Sequence, residues 1–384
     1  MNVEFFSPLE NSVVMKALSF ADTSFGRKIR LHTEEGFPDL SGVKIAIIGV
    51  AEGRGAEQYD SHEGLYYVRK ELYQLFFGDW HVSVADLGNI EQGSTLQDTY
   101  FAVSNTASFL IKQGIIPLII GGTQDLTYAN YRAYDNLEQT VNLVSIDSRF
   151  DIGTAEEEFL SKSFLSRIIM EEPNNLFNYS NIGFQTFFNS QEEIKLIDKL
   201  YFDAYRLGEV KEINLVEPVL RDADIVSFDI GSIRQADAPA SEFASPNGFY
   251  AEDACAIARY AGISDKVTSF GVYEYNGAID TNNQTAKLIA QMIWYFIEGV
   301  DKRANDYPFV TKDNYEKYTV VLEDDDPLNF YKSDRSGRWW MEINLISNNK
   351  HKRHALIPCS YRDYKEALKL KIPERWFKAL QKLT

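Results

Sequence analysis

Short apolar runs rich in β-branched residues recur from residue 43 to residue 273, and longer segments with helical spacing separate them. Each run is uniformly apolar, which indicates a strand buried on both faces. Strands that alternate with helices predict a mostly parallel sheet between two helix layers, which is an α/β fold with three layers, α/β/α. The predicted strands are 43–50, 81–87, 115–120, 142–147, 181–184, 225–229 and 267–273, and the predicted helices are 63–77, 99–112, 191–205, 251–260 and 285–298.

The pattern changes at about residue 305, just before Tyr307-Pro308 interrupts the alternation. We predict an N-terminal extension over 1–40, an α/β domain over 41–305 and an appended α+β region over 306–384. Trp339 and Trp340 are adjacent in a predicted strand, so their rings point to opposite faces. Packing inside the appended region is the favoured interpretation, and an anchor for a protein partner is the alternative.

Composition narrows the class of protein. The chain has 384 residues, of which 45% are hydrophobic, and this is enough for a large core. A formal net charge of −17 argues against a nucleic-acid-binding surface. The two cysteines are far apart in the sequence and indicate a reducing compartment. No apolar run reaches the roughly 20 residues that cross a bilayer. We therefore expect a cytoplasmic protein with no membrane span and no nucleic-acid partner.

Polar residues follow four of the predicted strands, where the carboxyl ends of a parallel sheet place functional loops. Alternation puts Asp147, Arg149 and Asp151 on one side of an extended chain. Two carboxylates with a guanidinium between them are costly to bury unless they bind each other or a ligand. The four segments are Gly121-Gly122-Thr123-Gln124-Asp125, Asp147-Ser148-Arg149-Phe150-Asp151, Asp229-Ile230-Gly231-Ser232-Ile233-Arg234 and Glu274-Tyr275-Asn276-Gly277-Ala278-Ile279-Asp280.

Converging oxygen ligands at this edge predict at most one divalent metal ion. Its ligands would be Asp147, Asp151 and Asp229, with the amide oxygen of Gln124 as the fourth. None of the five histidines follows these strands. The alternative, which we favour, is an internal salt-bridge cluster in which Arg149 pairs with the carboxylates.

The ordered set of motifs resembles the arginase or ureohydrolase family, which includes agmatinases and formimidoylglutamases. The similarity covers roughly residues 40–305 and extends upstream to the loop Gly53-Arg54-Gly55-Ala56 and to Arg69. The resemblance implies a three-layer α/β/α fold, a binuclear manganese centre, hydrolysis of a guanidino or formimino C–N bond, and self-association into a homo-oligomer.

The chain departs from the family at three metal-binding positions. The family motif Gly-Gly-Asp-His ends here in Thr123 and Gln124, so an amide replaces a histidine. Arg149 stands at the histidine of Asp-Ala-His-x-Asp, and Gly231 at the second aspartate of Asp-x-Asp. The resemblance therefore implies that Asp147, Asp151 and Asp229 are retained ligands, that Gln124 is a weak substitute, and that one metal position is lost.

The charges of the site also favour the loss of one metal position. We predict that Arg149 lies between Asp147 and Asp229, and that Arg149 with Arg234 provides positive charge in place of the second metal. The expected cofactor is therefore none or a single Mn²⁺.

Glu274 matches the family glutamate that contacts the substrate's guanidinium or amidine-like group, and Asn276 and Asp280 match the rest of that motif. Their alternative role is structural, as an ion pair and a turn.

Two hypotheses remain. In the first, the chain is a catalytically degenerate, formimidoylglutamase-like protein that acts in ligand binding or assembly, with 306–384 as a possible partner surface. In the second, it is a hydrolase of a guanidino or formimino substrate that uses one metal or altered ligands.

Overall fold

The computed structural model describes residues 2–56, 61–137, 139–153, 160–210, 212–308, 312–322, 327–344 and 354–383. Within them the strands are β1 Phe6–Ser7, β2 Arg30–Leu31, β3 Val43–Val50, β4 Ser83–Ile90, β5 Ile116–Ile120, β6 Val141–Ile146, β7 Leu176–Phe184, β8 Asp203–Arg206, β9 Ile225–Asp229, β10 Ser269–Tyr273, β11 Tyr315–Val321, β12 Pro327–Ser333, β13 Trp339–Asn344 and β14 His354–Cys359. The helices are α1 Asn11–Ser19, α2 Phe25–Lys28, α3 Ser61–Gln74, α4 Leu96–Lys112, α5 Leu126–Arg132, α6 Phe164–Met170, α7 Gln191–Lys199, α8 Glu217–Arg221, α9 Ala251–Ile263, α10 Gln284–Asp301, α11 Tyr361–Ala367 and α12 Glu374–Leu383.

The main sheet has ten strands, in the order β1-β4-β3-β5-β10-β9-β6-β7-β8, with β2 also paired to β4. Every pairing is parallel except that of β1 with β4. The central strands β5, β6, β9 and β10 are buried at every position because helices cover both faces.

Separate apolar cores fill the two sides of the sheet. One core packs α3, α9 and α10 against the strands, and the other packs α4, α5 and α6. The three-layer α/β/α prediction is confirmed. Among the described helices, none has the length and apolar character needed to cross a membrane.

Several predicted boundaries differ from the structure by a few residues, and two predictions differ in the kind of structure formed. The helix expected over 191–205 ends at Lys199, and the chain then forms the edge strand β8. The first forty residues do not stand apart from the α/β domain, because β1 and β2 pair with β4 in the main sheet.

The appended region forms a separate antiparallel sheet, in the order β11-β12-β13-β14, with α11 and α12. Both tryptophans of β13 are buried. The Trp339 ring stacks on Tyr364 at 5.0 Å inside this region. The Trp340 ring faces the α/β domain, with the guanidinium of Arg221 4.5 Å from its centroid. The second ring therefore joins the two parts of the chain instead of lying on an open surface.

Candidate functional site

The order of the central strands explains why the predicted site residues meet. β5, β10, β9 and β6 are consecutive neighbours, and all four run parallel. Their carboxyl ends therefore bring Gln124, Glu274, Asp229 and Asp151 to one edge, where all four line a buried cavity. The cavity has a volume of about 10 Å³, which is roughly the space of one water molecule.

Backbone geometry at the strand ends aims these side chains. Asp151 and Glu274 both have left-handed backbones, with φ values of 51° and 62°. This conformation is uncommon for residues other than glycine and concentrates at functional sites. Gly121 and Gly122 also have positive φ values, 90° and 73°, and make the tight turn that precedes Gln124.

Three carboxylates each use one oxygen to hold the backbone of a loop. Asp147 Oδ1 accepts a hydrogen bond from the Arg149 N–H at 2.8 Å, and Asp229 Oδ1 accepts one from the Gly231 N–H at 2.6 Å. Glu274 Oε1 accepts one from the Gln124 N–H at 2.6 Å. The second oxygen of each carboxylate is left for other contacts.

Several buried oxygens of the site accept no hydrogen bond from a donor group among the described residues. They are Gln124 Oε1, Asp147 Oδ2 and Glu274 Oε2. The Gln124 amide is oriented by its Nε2, which donates to Ser227 Oγ at 2.8 Å. Buried acceptors without donors cost free energy unless a proton, a water or a cation satisfies them.

Burial also raises the pKa of every carboxyl in the cluster. The pKa of Asp151 rises to about 8, because burial and the nearby Asp229 and Glu274 outweigh the Asp147 hydrogen bond and the charge of Arg149. The pKa values of Asp147, Asp229 and Glu274 also rise well above their usual range, first through burial and then through neighbouring carboxylates. Asp151 therefore retains a proton at neutral pH, and the carboxyls of Asp147, Asp151 and Asp229 are close enough to share it.

Arg149 does not form the predicted salt-bridge cluster. Its guanidinium stacks over the Phe188 ring at 4.4 Å, and its Nη1 donates to the Phe188 carbonyl at 3.3 Å. Its Nε is buried without an acceptor, and within the described ranges no ion pair joins it to a carboxylate. The aromatic ring holds the guanidinium beside the cavity instead of between Asp147 and Asp229.

Arg234 lies outside the cavity, contrary to its predicted place as a second replacing cation. Its guanidinium forms two hydrogen bonds with Asp237, at 2.7 and 2.9 Å, and lies over the Tyr250 ring at 3.9 Å. Asp237 is three residues away, so a local ion pair captures this arginine. The cation that accompanies Arg149 along the cavity wall is Lys162.

Of the three residues in the predicted substrate motif, only Glu274 lines the cavity. Asn276 Nδ2 donates to Glu242 Oε1 at 2.9 Å, and its Oδ1 accepts from the Ala278 N–H. Asp280 accepts from the N–H groups of Thr285 and Ala286 at the start of α10. Both side chains brace the loop that carries Glu274.

Sequence reasoning missed three residues of the cavity wall: Ser161, Lys162 and Phe243. None of them follows a strand, so the strand-end argument gave no signal. Ser161 reaches the site because its N–H donates to the Gly55 carbonyl at 2.9 Å. This bond ties residues 160–162 to the glycine-rich loop, the one motif that could have suggested the contact.

The donors present suit one metal ion better than two. In the described part of the chain, no three His, Cys, Asp or Glu side chains form a preassembled metal centre. The oxygens of Gln124, Asp147, Asp151 and Asp229 are the kind that bind a hard divalent ion, but Gly231 offers no side chain and Arg149 is a cation. The unsatisfied acceptors fit a single cation that replaces shared protons.

Comparison with known proteins places this arrangement in a family. The Arginase family model matches residues 43–298. The chain belongs to the arginase family. Formimidoylglutamase from Staphylococcus aureus (strain MSSA476) is 26% identical over 295 residues, which cover 71% of this chain and 94% of the relative.

Solved structures of the family share the fold. Trypanosoma cruzi formiminoglutamase with Mn²⁺ superposes with a TM-score of 0.63 at 18% identity, covering 69% of this chain and 96% of that one. Bacillus subtilis formimidoylglutamase gives a TM-score of 0.62 at 18% identity, covering 69% of this chain and 90% of that one. The family match ends at residue 298, so the appended sheet lies outside it.

Proposed function

We propose that this chain is a catalytically degenerate, formimidoylglutamase-like member of the arginase family that binds a small guanidino or formimino ligand without two-metal hydrolysis. The observation that carries the proposal is the cavity wall itself, where Arg149 and Lys162 lie beside the carboxylates. At the two positions where the resemblance implies ligands of a second metal, the chain has a cation and a glycine.

The formal charges in and around the cavity support this proposal. Asp147, Asp151, Asp229 and Glu274 would carry four negative charges if all were ionised, and Arg149 and Lys162 carry two positive charges. The surplus of two is balanced by two protons or by one divalent ion. A second divalent ion would leave a buried excess of positive charge, which is costly in a low-dielectric site.

Of the predicted substrate residues, Glu274 is the one that a ligand in the cavity would contact. Its Oε2 is buried and accepts no hydrogen bond from described donors, while its Oε1 is held by the Gln124 N–H. A carboxylate fixed in this way suits an amidine or guanidinium, whose N–H groups would satisfy the free oxygen. Because the cavity has room for roughly one water, we expect binding to require displacement of the Ser161 and Phe243 wall.

A second candidate is a hydrolase that uses one metal. The unsatisfied oxygens of Gln124 and Asp147 favour it, because a single divalent cation held by these groups with Asp151 and Asp229 would satisfy both. Such an ion, when bound, lowers the pKa of a coordinated water. Glu274 would orient the substrate in either case.

The deciding experiment supplies Mn²⁺ and measures both binding and turnover. The purified chain is incubated with N-formimidoyl-glutamate, arginine and agmatine, and the release of formamide, urea and ammonia is followed, with affinity measured by calorimetry. We expect binding of at least one of these compounds without product. Sustained product formation dependent on Mn²⁺ would overturn the proposal in favour of the one-metal hydrolase, and absence of any binding would reject both.

A matched variant tests whether the lost donors are the reason. Gln124→His, Arg149→His and Gly231→Asp together restore the family's residues at the three metal-binding positions that depart from it. A Cβ at position 231 would lie 3.0 Å from Phe243 Cβ and 3.1 Å from Asp229 Oδ1, so small shifts are needed and folding is checked by circular dichroism. We expect the folded triple variant to bind more Mn²⁺ than the wild type.

A further inference from the structure

A second cavity lies at the amino ends of the strands, opposite the first cavity, between the α/β domain and the appended region. It has a volume of about 400 Å³, within the range of small-molecule sites. The amino ends of β6, β7 and β8 form one wall, and β14 and α12 form the other. Because α12 lies beyond residue 298, where the family match ends, this cleft is built partly by the chain's own addition.

Four cationic side chains line the cleft although the chain is acidic. Lys266, Arg375, Lys378 and Lys382 line it, against only two acidic residues, Asp203 and Asp222. The residues that line the cavity carry a formal charge of +2, and Asp224, Asp363 and Glu374 just outside the lining pair with three of the four cations. A cluster of cations on a concave surface attracts anions.

Two lysines of α12 compete for one carboxylate. The ammonium groups of Lys378 and Lys382 lie 3.7 and 3.6 Å from Asp203, too far for strong hydrogen bonds. Lys382 is only 10% exposed and donates to Asn178 Oδ1. Burial and the charge of Lys378 lower the pKa of Lys382, although Asp203 opposes them. Each ammonium has three N–H donors, so this pair keeps capacity for an anion.

The other cations of the cleft are held more closely. Lys266 lies 3.2 Å from Asp222 and 3.4 Å from Asp224. Arg375 lies 3.5 Å from Asp363. Glu374 contacts Lys378 at 3.1 Å, but its side chain is 81% exposed, where water and salt screen the pair. Lys378 and Lys382 therefore share one largely shielded carboxylate, Asp203, and are the cations of the cleft best placed to contact an anion.

Apolar groups form the rest of the wall and define the body of a ligand. Phe177, Tyr205, Pro218 and Pro358 line the same cavity as the lysines. Phe177 is 37% exposed, so its ring is available to a bound molecule. An aromatic or aliphatic body beside an anionic group matches this lining, since ligand sites combine apolar walls with a few placed polar groups.

We propose that this cleft binds a small organic anion, in which a phosphate or carboxylate group contacts Lys378 and Lys382 and an apolar body packs on Phe177 and Tyr205. The site is independent of the carboxylate cavity, the first cavity with Asp151, Asp229 and Glu274 in its wall, because the two cavities lie at opposite ends of the sheet's strands. The appended region would then act as one half of a binding site.

The test uses the full-length chain and isothermal titration calorimetry with three probes: phenyl phosphate, inorganic phosphate and phenol. We expect phenyl phosphate to bind one site per chain, more tightly than either fragment, and to weaken as salt screens the charges. Lys382→Gln should weaken binding by about tenfold, the loss of one charge-assisted contact. Ala379→Phe, which fills the cleft without changing charge, should reduce binding as well.

Two variants serve as controls. Lys369→Gln removes an exposed lysine outside the cleft and should leave the affinity unchanged, and Arg149→Met should do the same if the phosphate does not enter the carboxylate cavity. The proposal is overturned if phenyl phosphate does not saturate at millimolar concentration, if Lys369→Gln weakens binding as much as Lys382→Gln, or if Arg149→Met abolishes it. If Lys382→Gln does not fold, Ala379→Phe and the salt dependence decide.

Discussion

Raising the pH should weaken this fold across the neutral range, because the carboxylate cavity retains protons. The pKa of Asp151 is about 8 in the folded chain against an ordinary value of 3.8. A carboxyl whose folded pKa is raised stabilises the fold at low pH, and this contribution is lost as pH rises through the folded pKa. The raised pKa values of Asp147, Asp229 and Glu274 act with the same sign.

For the proton on Asp151, apart from any protons on its neighbours, the expected size of this effect follows from the shift in its pKa. Between pH 3.8 and about 8 the folded chain holds one more proton than the unfolded chain at this residue. The free energy of unfolding then falls by about 1.4 kcal/mol per pH unit. From about pH 6.5 to about pH 8 the loss from Asp151 is about 2 kcal/mol. Asp224, whose pKa is about 6, has largely titrated before this window begins.

Urea denaturation followed by circular dichroism measures this dependence directly, with a chelator present to remove metal ions. We expect the midpoint of unfolding to fall steadily from about pH 6.5 to about pH 8. Asp151→Asn keeps the shape of the side chain but removes its titration, so its slope should be shallower by about 1.4 kcal/mol per pH unit.

The opposite pattern would refute the reasoning. A midpoint that stays constant or rises over this window would mean that the cluster is ionised or relaxed in the folded chain. An Asp151→Asn variant with the full wild-type slope would mean that the retained proton lies elsewhere.

Further predictions concern the contacts that hold the structure together. Trp340→Ala should lower the free energy of unfolding by about 3–5 kcal/mol, because the ring is fully buried against Arg221. Tyr361→Ala, at a ring that is half exposed, is the control. Equal losses of stability for the two variants in urea denaturation would contradict the role of Trp340 in joining the two parts of the chain. Tyr73→Phe removes a 2.8 Å hydrogen bond to the buried carboxylate of Asp86 and should cost about 1–3 kcal/mol; an unchanged unfolding midpoint would show that this bond adds nothing.

Most of the central sheet could be predicted from sequence because its strands are buried on both faces. The strands 43–50 and 225–229 were located at their observed ends. β8 could not be predicted in this way. It is a four-residue edge strand with partly exposed side chains, so no apolar run marks it, and the helical pattern of 191–199 continues through it in the sequence.

The convergence of the site was also predictable, whereas the positions of its cations were not. Parallel strands bring their carboxyl ends together, so Asp147, Asp229 and Glu274 had to meet once the strands were known. The direction of Arg149 depends on Phe188, 39 residues further along the chain. No local pattern encodes a stacking contact at that separation. Arg234 is different, since its partner Asp237 is close enough in sequence to have been anticipated.

The number of metal ions that the folded chain binds tests the central claim most directly. The chain is saturated with Mn²⁺, freed of excess ion by gel filtration, and its metal content is measured by mass spectrometry against protein concentration. The cations beside the carboxylates and the glycine at position 231 predict no more than one ion per chain. Two tightly bound ions per chain would contradict this account.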